Sequence, residues 1–143
     1  MEKTIVEVRK VLQNSDILNS TCPFCSPDIK SRIIAEFCTV FAIRDGYPVT
    51  SGHTLIIPYR HTIDFFTMTM QEKSDVLELI KRVCADLSSN DKTIMGFNIG
   101  MNCGEAAGQS VMHAHIHIIP RREGDVPNPK GGVRGVIPGK MGY

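Results

Sequence analysis

Three of the chain's five histidines fall within five residues, in Met112-His113-Ala114-His115-Ile116-His117-Ile118-Ile119-Pro120. In a β-strand successive side chains point to opposite faces, so His113, His115 and His117 share one face, about 6.8 Å apart, and Ala114, Ile116 and Ile118 share the other. As a helix the same residues would scatter the imidazoles over more than half the circumference. The spacing therefore predicts a strand over 111–119 with an apolar side for a core and an imidazole side. Such a row is a solvated accident, a zinc site, or a nucleophilic centre in which one imidazole attacks and its neighbours orient it and hold oxygens. The flanks favour the third. Gly104–Ser110 is a small-residue loop that can approach an anion closely, and Arg121 and Arg122 follow the strand at once.

The run Gly108-Gln109-Ser110-Val111-Met112-His113-Ala114-His115-Ile116-His117-Ile118-Ile119-Pro120-Arg121 resembles the signature of the histidine triad (HIT) family, in which histidines alternate with apolar residues after Gly-Gln-Ser or Gly-Gln-Thr. An upstream block, Phe41-Ala42-Ile43-Arg44-Asp45, then Gly52-His53-Thr54-Leu55-Ile56-Ile57-Pro58 and His61, is similar to the family independently. Together the two blocks span roughly residues 22–122. The ending Ile119-Pro120-Arg121-Arg122 looks more like the bacterial-type dinucleoside-polyphosphate hydrolase branches than the phosphoramidase branch. Ser51 departs from the pattern, since relatives commonly carry proline there; the change touches turn rigidity more than chemistry.

At 143 residues the chain has room for one domain with a real core. A net charge of +1 points to neither nucleic acid nor membrane as a partner. No apolar run approaches the ~20 residues that span a bilayer. Met1-Glu2-Lys3-Thr4 does not open a signal peptide, and five cysteines is an odd number, so a cytoplasmic, reducing setting is expected.

In chain order, Ile5, Val8, Val11 and Leu12 predict a short amphipathic helix over residues 4–13. Ser31–Ile43 holds enough β-formers for two short strands, Asp45-Gly46-Tyr47-Pro48 is a turn, and His53–Pro58 is a third strand. Thr69-Met70-Gln71-Glu72 reads as a capping box. The one long helix it opens is expected to bury Val76, Ile80, Val83, Cys84 and Leu87 and to stop near Ser88-Ser89-Asn90. Thr93–Asn98 and Val111–Ile119 complete about five strands. Hairpin-linked strands with one long helix between the third and fourth predict an α+β fold with an antiparallel sheet, as a single domain over 1–143. The resemblance implies the same layout and a homodimer whose sheets join.

Cys22-Pro23-Phe24-Cys25 is a redox pair, half a zinc site, or chance. The redox reading wants a preceding strand, and polar loop precedes it here. A zinc site needs two more ligands, available from His61 and the triad. The resemblance implies a structural zinc held by Cys22, Cys25, His61 and His113. Cys38, Cys84 and Cys103 read as small buried hydrophobes.

The resemblance also implies the reaction. His115 attacks the α-phosphorus of a nucleotide conjugate such as diadenosine tetraphosphate, and water releases the nucleoside monophosphate from the nucleotidyl-histidine. His117, Ser110, Gln109 and Asn102 match positions that contact phosphate, and His117 or Ser110 assists the leaving group. Asp45 matches the ribose position, against a plain reading as a turn residue. Phe24 and Ile43 match the base pocket, against ordinary core. His53 is expected to make a structural hydrogen bond. An adenosine 5′-phosphoramidate hydrolase is the nearest variant, and a nucleotide-binding regulatory module with incidental turnover is the alternative class.

Residues 122–143 change character, with six glycines and three prolines in 22 positions. From Arg121 onward five basic residues face two acidic ones, although the whole chain carries only +1. This tail is expected to dock through Val133, Val136 and Ile137 over the leaving-group side of a site, its own or a partner's.

Overall fold

A computed structural model describes residues 21–143. The helix expected over residues 4–13 lies outside them. Strands Ile33–Phe37 (β1), Val40–Arg44 (β2) and Thr54–Pro58 (β3) form a meander. Helix α1 covers Met70–Asn90, and Ile94–Gly100 (β4) and Ile116–Arg122 (β5) complete the sheet. Every pairing is antiparallel and the strand order is β1-β2-β3-β5-β4. Short 3-10 turns occupy Pro27–Arg32, Glu105–Ala107 and Gly132–Val136. This is the α+β, five-stranded architecture the sequence predicts.

The capping box forms as expected: Glu72 N–H donates to Thr69 Oγ1 at 3.0 Å, and Thr69 N–H donates to the Glu72 carboxylate at 2.8 Å. From there α1 lays Val76, Leu79, Val83 and Leu87 on one face of the sheet, against Val40, Ala42, Ile56, Ala114, Ile116 and Ile118. The expected Ile80 and Cys84 only flank this core, and Leu79 occupies its centre with no exposed surface. Two carboxylates are buried with these apolar residues, and each is fully hydrogen-bonded, as burial of charge requires. Asp75 accepts from both Thr39 N–H and Thr39 Oγ1, tying α1 to the β1–β2 turn. Glu72 receives a two-pronged contact from Arg60 at 2.8 and 2.9 Å, tying α1 to the loop beyond β3.

The opposite face carries a second, smaller core of Ile29, Phe41, Ile43, Leu55 and Ile57, with Phe24 at its margin. Strands β2 and β3 are thus buried on both faces, which explains their unbroken apolar runs.

The strand expected over 111–119 starts late, at Ile116. Its register against β3 explains the difference. Thr54 opposes Ile118 and Ile56 opposes Ile116, so the next partners would be Pro58 and Ala114. Proline has no N–H to give, and the ladder ends there. Ala114 N–H donates instead to the Thr62 carbonyl at 2.7 Å. His113 and His115 therefore lie on extended chain just before β5, and His117 alone of the three is within it.

Beyond β5, Arg121 donates to both carboxylate oxygens of Asp125 and, at 2.7 Å, to Asn98 Oδ1. Asn98 opposes Ile119, so this contact lies on the same face of the sheet as His117. The tail crosses it at Gly132, where a Cβ would stand 3.4 Å from Asn98 Nδ2. Val133, Val136 and Ile137 remain exposed, so the docking expected of them is not made on this chain.

Truncating the central core side chain, Leu79→Ala, should destabilise the protein by about 2–5 kcal/mol in chemical denaturation. Lys81→Ala, on the exposed side of α1, should change stability by less than about 0.5 kcal/mol.

Candidate active site

The site is built where the end of β3, the start of β5 and the loop carrying Cys22 and Cys25 meet. His113 is wholly buried, and its Nε2–H donates to the Pro58 carbonyl at 2.8 Å. The carbonyl that proline leaves without a ladder partner thus receives an imidazole. With its proton on Nε2, His113 presents an Nδ1 lone pair to Cys22 Sγ at 3.5 Å and Cys25 Sγ at 3.4 Å. His61 Nδ1 stands 3.3 Å from Cys25 Sγ. The four donor atoms of Cys22, Cys25, His61 and His113 lie within 4.8 Å of one another.

These donors fit a tetrahedral zinc. Zn–S and Zn–N bonds of normal length place S and N about 3.6 Å apart. Burial, then hydrogen bonding to and the charge of Cys22, push the Cys25 thiol up to about 12. A cation between the two sulfurs is what would let both serve as thiolates.

His115 is buried, and its Nδ1–H donates to the His113 carbonyl at 2.8 Å. This leaves the Nε2 lone pair without a hydrogen bond among the described residues. The Phe24 ring meets His115 edge-on with centroids 5.3 Å apart, and it also contacts His113. Ile43, the other expected base-pocket residue, has no exposed surface and lies within the second core.

His117 is half-buried, with its ring 5.2 Å from that of His115. Its Nδ1 lies 2.9 Å from His53 Nε2. Burial, then the nearby His115 and His53, push His117 down to about 4 against the opposing pull of Asp45. Asp45 serves two purposes. Its Oδ1 accepts Tyr47 N–H at 2.8 Å, closing the turn, while Oδ2 reaches toward His53 Nε2 at 3.4 Å and His117 Nδ1 at 3.9 Å.

The loop before the triad is held from inside by Gln109. Its Oε1 accepts Gly104 N–H, and its two N–H groups donate to the Ile63 and Val111 carbonyls. Both amide donors are therefore used on backbone carbonyls, one of them across to the segment after β3, rather than turned outward to an anion. Asn102 Nδ2 reaches the Gly108 carbonyl at 3.5 Å. Ser110 is exposed and lines a cleft of about 260 Å³ with Cys22, Pro23, His61 and Val111.

Two elements of the site were not anticipated. One is Pro58, whose carbonyl seats His113; the signal was proline at the end of a strand that pairs with the triad segment. The other is the contact of His53 with His117, foreshadowed by His53 sharing the alternation of Leu55 and Ile57 on the imidazole face.

Comparison with known proteins agrees with this geometry. The HIT domain profile matches residues 26–124. An uncharacterized HIT-like protein of Mycoplasma genitalium is 38% identical over 107 residues, covering 73% of this chain and 75% of that one. The solved structure titled a hypothetical histidine triad nucleotide-binding protein of Sulfolobus tokodaii is 34% identical. It covers 75% of this chain and 73% of its own, with a TM-score of 0.66. An AP-4-A phosphorylase of Mycobacterium tuberculosis is 29% identical over 99 residues, 68% of this chain and 50% of that protein. With the triad in place and the sheet topology shared, the chain belongs to the histidine triad family.

Proposed function

We propose that the protein is a nucleotidyl hydrolase or transferase that cleaves nucleotide conjugates at the α-phosphate, with dinucleoside polyphosphates such as diadenosine tetraphosphate as the substrate class. The observation that carries this reading is His115. Its Nδ1–H is committed to a backbone carbonyl and its Nε2 lone pair is free, the tautomer an attacking imidazole needs. The similarity to an AP-4-A phosphorylase supports the substrate class.

In this mechanism His115 Nε2 bonds to the α-phosphorus while the bond to the bridging oxygen of the leaving phosphate breaks. That oxygen takes a proton from His117 or Ser110. Water then attacks the same phosphorus and gives its proton to the side chain that protonated the leaving group, the N–P bond breaks, and nucleoside monophosphate leaves with His115 and that donor restored. Charge spreads over the phosphoryl oxygens, so fixed donors supply most of the stabilisation. His117, Asn102 and Ser110 are assigned this role. Gln109 acts by holding the loop through Gly104 N–H and the Ile63 and Val111 carbonyls. Asp45 Oδ2 is the ribose-binding oxygen, and Phe24 backs the base.

Zinc bound by Cys22, Cys25, His61 and His113 has a structural role, anchoring the Cys22–Cys25 loop and its Phe24 against the triad. Two copies pair through the edge strand β4, whose Met95 and Ile99 are exposed alongside Leu77 of α1. No described helix is long and apolar enough to cross a membrane; the cytoplasm is the proposed location.

His115→Ala should reduce diadenosine tetraphosphate turnover to below about 1% while nucleoside monophosphate still binds by calorimetry. Retained turnover would remove His115 from the role. Elemental analysis should find about one zinc per chain, lost in Cys22→Ser with a fall in melting temperature. Sedimentation at micromolar concentration should give a species twice the 15.8 kDa chain mass.

A further inference from the structure

His53 is buried at the entrance to β3 and faces the site without belonging to the triad. Val49 N–H donates to its Nδ1 at 3.2 Å. A ring nitrogen that accepts a hydrogen bond carries no proton, so neutral His53 keeps its proton on Nε2. That Nε2–H meets His117 Nδ1 at 2.9 Å, with Asp45 Oδ2 beside it at 3.4 Å. His117 Nδ1 is therefore an acceptor, and the proton of His117 sits on the opposite nitrogen, Nε2.

The order of these groups matters. Asp45 Oδ2 stands 3.9 Å from His117 Nδ1. A carboxylate at that distance draws a proton onto the nitrogen facing it and favours the imidazolium. The His53 N–H occupies the place that such a proton would need. The titratable groups facing His117 are Asp45, His53 and His115, and of these only Asp45 favours the cation. Burial also lowers His53 itself, against the pull of Asp45, so its neutral form is the one that matters near pH 7.

The same three side chains bring potential metal donor atoms together. For His53 to ligate through Nε2 its proton would have to move to Nδ1, into the Val49 N–H that already points there. The hydrogen-bond chain is the arrangement this backbone supports.

We propose that His53 is a positioning residue: relaying the Val49 backbone N–H through its ring, it holds His117 as a neutral Nε2–H donor and keeps Asp45 from converting it into a carboxylate-paired cation. The functional meaning rests on the reading of His115 and His117 as the transfer machinery; the tautomer itself does not. Two-bond ¹H–¹⁵N spectra of the full chain with labelled histidine test it. In the unmodified protein His53 and His117 should both carry protons on Nε2, and His117 should remain untitrated down to about pH 5.5. In His53→Leu, the His117 proton should move to Nδ1 and its titration midpoint rise by at least about one unit. Turnover of that variant should then fall as pH rises through the new midpoint, because only the cation still offers Nε2–H, whereas the unmodified enzyme stays flat there. His53→Gln, whose amide N–H can replace the ring donor, should restore the Nε2–H tautomer and the flat profile.

A wild-type His117 protonated on Nδ1, or a His53→Leu spectrum with His117 unchanged, overturns the proposal. If His53→Leu does not fold, the wild-type tautomers and His53→Gln decide. Loss of turnover in His115→Ala alongside an unmoved His117 tautomer would defeat this inference and leave the transfer reading standing. Retained turnover in His115→Ala alongside the predicted spectra would do the reverse.

Discussion

The site depends on one missing hydrogen. Pro58 ends β3 without an N–H, and the ladder with β5 stops at the pair Ile56–Ile116. Had it continued, the Pro58 carbonyl would have been used by the strand opposite. It receives the His113 ring instead, and the His113 carbonyl receives the His115 ring. Two imidazole tautomers are thus set by two backbone carbonyls, those of Pro58 and His113, with opposite outcomes. His113 offers Nδ1 to the sulfurs, and His115 offers Nε2 to whatever enters the site.

One short stretch consequently serves three environments. Ala114, Ile116 and Ile118 are core under α1, His113 belongs to the sulfur cluster, and His115 and His117 face the open side. The Arg60–Glu72 contact and the Asp75–Thr39 contact brace α1 against the loop beyond β3 and the β1–β2 turn. The helix therefore fixes the floor on which the imidazoles stand. Gly52 shows how closely these layers meet: at φ +88°, a Cβ there would come within 3.0 Å of Leu87 and 3.2 Å of Pro120.

Much of this was legible in the sequence because local chemistry and the tertiary fold agree. The capping box at Thr69, the helix end near Asn90, the three early strands and the face-splitting of the triad all follow from patterns a few residues long. What was less legible depended on neighbours. Alternation told which way Ala114 would point, but not that its strand partner would be a proline. Helical spacing from Val76 suggested Ile80 and Cys84, whereas the sheet beneath packs on Leu79 and leaves those two at its margin. The motif match placed Gln109 near phosphate, and only the fold reveals that its amide donors go to the Ile63 and Val111 carbonyls. A structural hydrogen bond was expected of His53, but not its partners, Val49 and His117, which stand on either side of it at very different sequence distances.

The contact between His53 and His117 spans 64 positions, and that between Pro58 and His113 spans 55. The β1–β2–β3 meander needs no such closure; each of its turns is local. Joining β5 to β3 closes a long loop that includes α1 and β4, and the entropy of that closure is offset only when the pairing is complete. A fluctuation that lifts β5 away while the meander persists would take His115, the His53–His117 contact and the sulfur-facing His113 with it in a single event. The imidazole row and the Cys–His cluster should therefore come apart together, and before the rest of the sheet does.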